Sequence, residues 1–371
     1  MVFMKKLFVI TPATLNIEKY AGVQKFIFEL IRSLHHTYEI SIISPNKVKN
    51  KKTLIFFRKN GAKPIYKKFF PIQRLNNLEY SIPLSEGYVY VTSFITSVFQ
   101  PLFSKNVILG THTFFNPREE KGGFGFSEIR RLKVLLFQFL SKLFYIHRTD
   151  IKVHCLNSWQ VSWFKKLGYK NVYLIQNFLD TKKYSKPQPV DKFTVLFLAR
   201  HRAIQKGVDT LLEIVKILRN HEEIEIIACG VLGKEFASLQ RKIKNFKWLG
   251  FVSEKEKITL LSKSSLFLAP SRFEGNPISV LEALVSGCPF LGSNIIAFED
   301  ILRLDREFGW IVKEYKPENF ANKILEIYAK WKSNKRKYFE TRKYIAKKSR
   351  ELFDVKKVMK NFEEYLLDGE V

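Results

Sequence analysis

Short apolar runs alternate with amphipathic segments along the whole chain. Several of the apolar runs are rich in β-branched and aromatic residues and carry no polar alternation, which is the pattern of strands covered on both faces. The predicted strands are residues 7–10, 40–44, 88–93, 106–110, 151–156 and 172–176, followed by 193–199, 224–230, 246–251, 266–270, 289–293 and 309–312. Segments of helical period lie between them, such as VQKFIFELIRSL and VDTLLEIVKILRN. Repeated strand–helix units predict an α/β fold with doubly wound, Rossmann-like parallel sheets.

The stretch YSKPQPVDKF, residues 184–193, divides the predicted strands into two equal groups, and its two prolines are typical of a hinge. We therefore predict an N-terminal Rossmann-like domain over residues 1–184 and a second over residues 185–345. The charged helical segment 346–371 is predicted to pack back on the first domain. Ligands of such sheets bind beyond the carboxyl ends of strands, so the two domains are expected to face a cleft lined by the loops that follow the strands.

Composition narrows the class of protein. A length of 371 residues with 46% hydrophobic residues supports two folded cores and excludes a disordered chain. Cys155, Cys229 and Cys288 are too few and too scattered for a disulfide framework or a zinc cluster, which favours buried thiols in a reducing cytosol. The apolar run after Lys6 is too short for a signal peptide, and no stretch reaches the ~18 apolar residues of a membrane span. A cytoplasmic protein, soluble or peripheral on a membrane, is expected.

The net charge of +28 is unevenly distributed. Residues 1–182 hold 28 Lys and Arg against 10 Asp and Glu, a net of +18, whereas the remaining residues hold 35 against 25, a net of +10. A solvated surface without a partner does not explain this asymmetry. It predicts an anionic partner, which is a nucleic acid, an acidic membrane or a phosphorylated substrate.

The stretch APSRFEGNPISVLEALVSGCPFLGS, residues 269–293, contains the strongest candidate site. A strand ends at Pro270, Asn276 is suited to cap a helix, and Pro277 fits the first helical position. The amide groups at such a helix start are suited to a phosphate. Glu274 precedes the helix and Glu282 lies inside it. Each carboxylate either complements the helix dipole or accepts hydrogen bonds from the hydroxyls of a ligand.

Three further loops follow predicted strands. Arg200 ends one strand and Lys206 lies on the next loop, where they are either surface cations or a clamp for two phosphates. Gly22 opens the helix VQKFIFELIRSL, where it serves a turn or lets an anion approach the backbone. His112 follows the strand NVILG, where it is either a structural histidine or a site residue.

Together these elements resemble the retaining glycosyltransferases of the GT-B fold, family four, the glycosyl transferases group 1 set. ARHRAIQKGVDTLLEIVKIL resembles the family's Gly-Arg…Lys-Gly element, and residues 248–293 resemble its longest signature, which contains a Glu-x7-Glu motif. NSWQVSWFKKLGYKNVYLIQNFLDTKKY resembles the segment that ends in Asn-Gly-x-Asp…Phe. The resemblance covers nearly all of the chain and is most specific around residues 196–310. Ala21-Gly22 replaces the usual Gly-Gly, and Asn177-Phe178 replaces Asn-Gly.

The resemblance implies that Arg200 and Lys206 bind the diphosphate of a nucleotide-sugar donor. Gly22 would lie near the same diphosphate, and His112 beside the reacting sugar. Glu274 would contact hydroxyls of the transferred sugar, and Glu282 the ribose hydroxyls. Gly275, Asn276 and Pro277 would contact sugar or phosphate through their backbone.

The predicted reaction is transfer of a hexose with retention of anomeric configuration. His112, Glu274, Arg200 and Lys206 are its predicted catalytic residues. The leaving diphosphate gains negative charge, which fixed cations and a helix N-terminus stabilise. No Asp-x-Asp occurs in the chain, so no metal or other cofactor is expected.

Two basic, aromatic stretches bear on the acceptor. Residues 47–70 contain nine Lys and Arg, and residues 128–148 form a basic predicted helix with a broad apolar face. These stretches predict docking on an anionic membrane, with a glycan or lipid-linked acceptor at its cytoplasmic face, although the second helix is equally compatible with a core position. A nucleic-acid-binding protein and another GT-B enzyme, such as a sugar-nucleotide epimerase, are the alternatives.

Overall fold

The computed structural model describes residues 4–11, 15–17, 22–66, 87–92, 106–112, 151–201, 204–231 and 233–368. These residues form two compact units. The first contains the described residues up to Asn177 and those from Val355 onward, and the second runs from Phe178 to Asp354.

The first unit is built on a parallel sheet of seven strands in the order β3-β2-β1-β4-β5-β6-β7. The strands are β1 Lys5–Ile10, β2 Tyr38–Ser44, β3 Lys63–Tyr66, β4 Gly87–Val91, β5 Val107–Gly110, β6 Lys152–Cys155 and β7 Val172–Leu174. The six strands predicted for this half are confirmed. The edge strand β3 was missed because its sequence KPIY contains a lysine and a proline and no apolar run.

Helices α1 Val23–Leu34, α2 Lys51–Lys59, α3 Ser158–Lys166 and α11 Val355–Phe362 also belong to this unit. Helix α1 buries one apolar face, which includes Phe26, Ile27 and Leu30. Helix α11 packs against α1, with the rings of Phe26 and Phe362 5.7 Å apart. Helix α11 and the π-helix Glu363–Asp368 that follows it therefore belong to the first unit, and α11 contributes to its core.

The second unit is built on a parallel sheet of six strands in the order β10-β9-β8-β11-β12-β13. They are β8 Phe193–His201, β9 Ile224–Val231, β10 Phe246–Trp248, β11 Leu266–Ala269, β12 Phe290–Ser293 and β13 Gly309–Val312. All six predicted strands are confirmed. Their inward and outward residues are both buried, because helices cover both faces of the sheet.

The helices of this unit are α4 Val208–Ile217, α5 Lys234–Lys242, α6 Glu254–Lys263, α7 Ile278–Val285, α8 Ile296–Leu304, α9 Pro317–Ser333 and α10 Lys335–Phe353. Helix α6 starts with a capping box, in which the Ser253 hydroxyl accepts from the Glu256 amide and the Glu256 carboxylate accepts from the Ser253 amide. Capping residues of this kind define where a helix begins, and the apolar face of the helix then packs against the sheet.

The stretch 184–193 lies wholly in the second unit, where internal contacts hold it. The Gln188 amide donates to the Ser262 carbonyl at 2.9 Å, and the Gln188 carbonyl accepts from the buried Arg342 guanidinium at 2.7 Å. The stretch is therefore held as part of the second unit, and its role as a hinge stays a prediction. The chain leaves the first unit after Asn177 and returns to it at Val355, so helix α10 remains in the second unit over its full length.

Among the described residues, none of the helices is both long enough and apolar enough to cross a membrane. All three cysteines are free and buried, as predicted, and burial raises the pKa of the Cys229 and Cys288 thiols to about 12. The predicted helix over residues 128–148 lies outside the described residues, as do residues 67–70 of the other basic stretch.

Candidate active site

Two loops of the second unit follow neighbouring strands and meet at the carboxyl edge of the sheet. Strands β8 and β11 pair in parallel, so the loop after β8 and the loop after β11 emerge side by side. The first loop ends in a 3-10 turn over Ile204–Lys206, and the second holds Glu274. Their side chains form an ion pair, with Lys206 Nζ 2.5 Å from Glu274 Oε1. Two residues that the sequence analysis assigned to separate ligand groups are therefore direct partners.

The ion pair lies beside a small cleft in the second unit. The Glu274 carboxylate is largely buried, and the Ser271 hydroxyl donates to its Oε1 at 3.0 Å. Lys206 keeps 28% of its side chain exposed, so it is the more accessible partner. Ser271, Pro277 and Ser279 also line the cleft. A cation and a carboxylate are thus presented together at its wall.

A second ion pair joins the loop after β11 to the first turn of helix α4. Arg272 is 3% exposed and binds both carboxylate oxygens of Asp209, at 2.8 and 2.6 Å. It also donates to the Ile204 carbonyl at 2.7 Å and lies over the Tyr315 ring, 5.0 Å from its centroid. Burial works against the charged form of Asp209, but the Arg272 guanidinium and the backbone amides of Asp209 and Thr210 together outweigh it and lower the pKa of that carboxyl. This pair fixes the distance between the loops and was not found from the sequence.

Gly207 allows the two loops to touch. Its φ of +70° lies in the left-handed region, and a Cβ placed there would lie 2.1 Å from the Pro270 carbonyl oxygen. The same carbonyl accepts a hydrogen bond from the Tyr315 hydroxyl at 2.7 Å, and that hydroxyl is 3.0 Å from Thr210 Oγ1. Lys206 therefore precedes a residue that must be glycine for both conformational and steric reasons.

Helix α7 begins one residue later than predicted. Pro277 is its N-cap, with an extended backbone, and Ile278 is the first helical residue, so Asn276 is not the capping residue. A proline ring fixes φ but leaves ψ free, and here ψ is 103°. The Val280 amide donates to the Pro277 carbonyl at 3.0 Å, so of the first-turn amides only those of Ile278 and Ser279 precede the bonds of the helix, and Ser279 lines the cleft. Gly275 and the buried Asn276 lie in the loop just before it.

Glu282, in the second turn of α7, is 4% exposed and is held from two sides. The Tyr184 hydroxyl donates to its Oε1 at 2.9 Å, and Lys257 Nζ lies 2.9 Å from the same oxygen. Lys257 also pairs with Glu254 at 2.9 Å. Burial opposes the charge on Lys257, but the two carboxylates prevail and raise the pKa of its ammonium group. Neither Tyr184 nor Lys257 was predicted as a site residue.

Arg200 lies in the last part of β8, and its side chain is outside the described part of the structure. Its predicted place in a diphosphate clamp therefore remains a prediction. No group of three His, Cys, Asp or Glu residues arranged to hold a metal ion occurs within the described ranges.

The remaining two candidates belong to the first unit. Gly22 is the N-cap of α1, and its φ of 55° requires glycine, while no atom would lie within 4 Å of an added Cβ. His112 follows β5, and its Nε2 lies 2.8 Å from the hydroxyl of Tyr90, which in turn lies 2.8 Å from Nδ1 of His154. The sequence singled out His112 but neither of its partners, because Tyr90 and His154 sit inside apolar strands.

Comparison with known proteins finds a family that matches the part of the chain containing this site. The family model described as glycosyl transferases group 1 matches residues 180–351, which contain Lys206, Glu274 and Glu282. A phosphatidyl-myo-inositol mannosyltransferase of Propionibacterium freudenreichii subsp. shermanii is 26% identical over 130 residues, 34% of this chain and 32% of that protein. The match spans about a third of the length of the first curated relatives.

Solved structures match over almost the full length. The sucrose-phosphate synthase of Thermosynechococcus elongatus aligns with a TM-score of 0.74 at 13% identity, covering 97% of this chain and 98% of that one. The Anabaena protein Alr3699/HepE, solved in complex with UDP, aligns with a TM-score of 0.73 at 15% identity, covering 98% and 99%. At these identities the likeness concerns the fold. Residues 180–351 thus resemble the glycosyl transferases group 1 family, and the two parallel sheets of the chain have the GT-B fold.

Proposed function

We propose that the chain is a retaining glycosyltransferase that moves a hexose from a nucleotide-diphosphate sugar to a glycan or lipid-linked acceptor. The observation that carries the proposal is the Lys206–Glu274 ion pair at the wall of a cleft, beside the N-terminus of helix α7. A nucleotide sugar offers an anion for the lysine and hydroxyl donors for the carboxylate. The helix start adds the amides of Ile278 and Ser279, which precede the bonds of the helix and are suited to a phosphate.

The ion pair has a simple role in this reaction. Breaking the bond between the anomeric carbon and the diphosphate leaves negative charge on the diphosphate. The Lys206 ammonium, partly exposed, is available to exchange its carboxylate partner for phosphate oxygens, and Arg200 would add a second cation. Glu274 would then accept hydrogen bonds from sugar hydroxyls and orient the donor. The backbone of Gly275, Asn276 and Pro277 would contact the same ligand.

The other predicted residues keep their proposed roles. Glu282 would bind the ribose hydroxyls, and its contacts with Tyr184 and Lys257 hold its carboxylate in a fixed orientation. Gly22 would approach the diphosphate and His112 the reacting sugar, as the family resemblance implies. The proposal assigns the charge on the leaving group to protein cations and amides, and it includes no metal ion or cofactor.

The relatives support the donor class. One curated relative is a mannosyltransferase, and a neighbour in fold was solved in complex with UDP. Both facts concern those proteins, and they favour a nucleotide sugar as the donor here.

The test is a donor screen followed by product analysis. Full-length protein is mixed with UDP, GDP and ADP sugars in thermal-shift assays with and without EDTA, and the stabilising donor is then supplied with candidate acceptors. Mass spectrometry identifies a transfer product, and NMR of the first-formed linkage reports its anomeric configuration. Retention of configuration and turnover in EDTA are expected. An inverted linkage, or epimerised donor as the product, would contradict the proposal.

We further propose that the first unit docks on an anionic membrane through helix α2 and strand β3, here called the basic face. Leu54 and Ile55 of α2 are 37% and 61% exposed, and Tyr66 of β3 is 48% exposed. The exposed basic residues around them are Lys51, Lys52, Arg58, Lys59 and Lys63. Exposed apolar side chains surrounded by lysine and arginine suit an interface of acyl chains and acidic headgroups. Salt-sensitive binding of nucleic acid without binding of nucleotide sugar would favour the alternative class instead.

A further inference from the structure

A chain of three polar rings lies inside the first unit, on adjacent strands. Tyr90 belongs to β4 and His154 to β6, and both are fully buried, while His112 follows β5. The Tyr90 hydroxyl lies 2.8 Å from His112 Nε2 and 2.8 Å from His154 Nδ1. The second nitrogen of His154, Nε2, lies 2.7 Å from the carbonyl oxygen of Ile175. The three hydrogen bonds form one continuous path from a backbone carbonyl to His112.

The carbonyl at one end determines where every proton lies. A carbonyl oxygen only accepts, so His154 must carry its proton on Nε2. In the neutral ring Nδ1 is then an acceptor, and the Tyr90 hydroxyl must donate to it. The Tyr90 oxygen is left to accept, so His112 must carry its proton on Nε2. In a neutral His112 ring, Nδ1 is consequently the acceptor.

The surroundings favour the neutral rings that this assignment needs. Phe26 of α1 lies against all three rings, with centroids 4.5 Å from His112 and 5.5 Å from each of the others. Phe362 of α11 packs on Tyr90 and His154 at 5.5 and 5.6 Å. Burial lowers the pKa of His154 to about 4, lowers that of His112 well below its ordinary value, and raises that of Tyr90.

Gly110 makes the path possible. Gly110 lies on β5, the strand between β4, which carries Tyr90, and β6, which carries His154. In the register of β5 and β6, Gly110 is paired with His154. A Cβ at Gly110 would lie 2.3 Å from the Tyr90 hydroxyl oxygen, so any other residue would displace the phenol. The glycine therefore opens the space through which the Tyr90 hydroxyl crosses strand β5 to reach both histidines.

We propose that Tyr90 and His154 are positioning residues that hold His112 in its Nε2-protonated tautomer and so make Nδ1 its hydrogen-bond acceptor. The use of this tautomer rests on the proposed function. A ring whose Nδ1 is always the acceptor is suited to accept a hydrogen bond from a hydroxyl of the reacting sugar. Preorganised tautomers of this kind lose no free energy to reorientation when the substrate binds.

The test begins with the wild-type full chain labelled with 15N-histidine. Two-bond proton–nitrogen NMR spectra distinguish the nitrogen that carries the proton in each ring, and His112→Gln and His154→Gln variants assign the signals. Both rings are expected to be protonated on Nε2. In Tyr90→Phe, His112 is expected to lose this single tautomer, whereas Tyr88→Phe on the same strand should preserve it. His112 protonated on Nδ1 in the wild type, or an unchanged His112 tautomer in Tyr90→Phe, would overturn the inference.

Kinetics supply the second measurement. With the donor found in the screen, Tyr90→Phe and Gly110→Ala should lower kcat about fivefold to tenfold with little change in KM for the donor, since each disrupts the hydrogen bond that Tyr90 accepts from His112. Tyr88→Phe should leave both parameters unchanged. A loss confined to KM would overturn the positioning role. A wild-type protein without any sugar transfer would defeat the proposed function instead, and the NMR result alone would then decide the tautomer.

Discussion

The Lys206 ammonium nitrogen lies 2.5 Å from Oε1 of Glu274, and the two residues are 68 positions apart in the sequence. Neighbouring parallel strands bring their loops together, and the Arg272–Asp209 pair and the Gly207–Pro270 contact keep them together. The ion pair is therefore held by residues that do not take part in it. Changes in the ion pair should therefore affect activity, whereas changes in the residues that hold the two loops together should affect stability.

Removing either member of the ion pair should abolish most of the activity. Lys206→Met and Glu274→Gln are each expected to lower kcat about 100-fold or more, because each removes a preorganised group that faces developing charge or a sugar hydroxyl. The matched control is Lys216→Met, which breaks an exposed ion pair of 2.7 Å with Glu213 on helix α4. Steady-state rates of transfer measure the effect. Wild-type rates in either Lys206→Met or Glu274→Gln would remove the site assignment.

Asp209→Asn should destabilise the second unit without removing a catalytic group. The change leaves the buried Arg272 guanidinium without its charged partner, and since Asp209 is 44% exposed we expect a loss of about 1–2 kcal/mol in the free energy of unfolding. Its folded pKa is lowered, so this stabilisation is complete above the unfolded pKa of about 4 and is lost as the pH falls further.

Urea unfolding of wild type and Asp209→Asn from pH 7 down to pH 3 measures this expectation. The difference in unfolding free energy should be constant above about pH 5 and should shrink below about pH 4. A difference that grows on acidification would contradict the sign of the pKa shift.

Lys257→Met should remove a stabilising interaction that is lost at high pH, whereas that of Asp209 is lost at low pH. Lys257 and Glu282 are both mostly buried, so removing the ammonium should cost about 3 kcal/mol of unfolding free energy and weaken donor binding through Glu282. The folded pKa of Lys257 is raised, so its stabilisation is complete below the unfolded pKa of about 10.4 and is lost as the pH rises through the folded value. Lys255→Met, an exposed lysine on the same helix, is the control. Equal stability of the two variants at pH 8 would refute the buried pair.

Gly207→Ala tests the contact between the two loops. The methyl group would add a collision with the Pro270 carbonyl to the strain of a left-handed backbone, so the cost should exceed the ~1 kcal/mol of strain alone. Gly250→Ala in the same unit is the matched control, because Gly250 has a φ of +64° and no atom within 4 Å of an added Cβ. Thermal unfolding of both variants separates the two effects, because Gly250→Ala adds only backbone strain and Gly207→Ala adds strain and the collision. Equal losses would show that the loops do not touch.

Charge removal on the basic face should weaken membrane binding. In a vesicle flotation assay with phosphatidylglycerol at low salt, Lys51→Gln with Lys52→Gln should reduce binding roughly fivefold per lysine, and added salt should reduce it further. Arg241→Gln with Lys242→Gln removes the same charge from exposed residues of helix α5 and should have little effect. Equal reductions in the two double variants would indicate unspecific attraction and would sink the proposed docking surface.

The sequence by itself determined the strands and the class of fold. The twelve predicted strands are present because each is an apolar run, and burial on both faces demands such runs wherever helices cover both sides of a sheet. It also indicated Lys206, Glu274 and Glu282 as candidate site residues, because a loop after a strand and a helix start can be recognised locally. The edge strand Lys63–Tyr66 escaped, since hydrogen bonds to a single neighbour define it without an apolar signal.

Only the tertiary structure decided which of these groups are partners. The ion pair of Lys206 with Glu274, the support from Arg272 and the rings around His112 depend on strand order, because the order determines which loops and side chains become neighbours. Strand order follows from the packing of the whole unit and leaves no local trace in the residues concerned. For the same reason the junctions between the units lie at Asn177 and Asp354 and not at the proline-rich stretch, whose backbone is bound within the second unit.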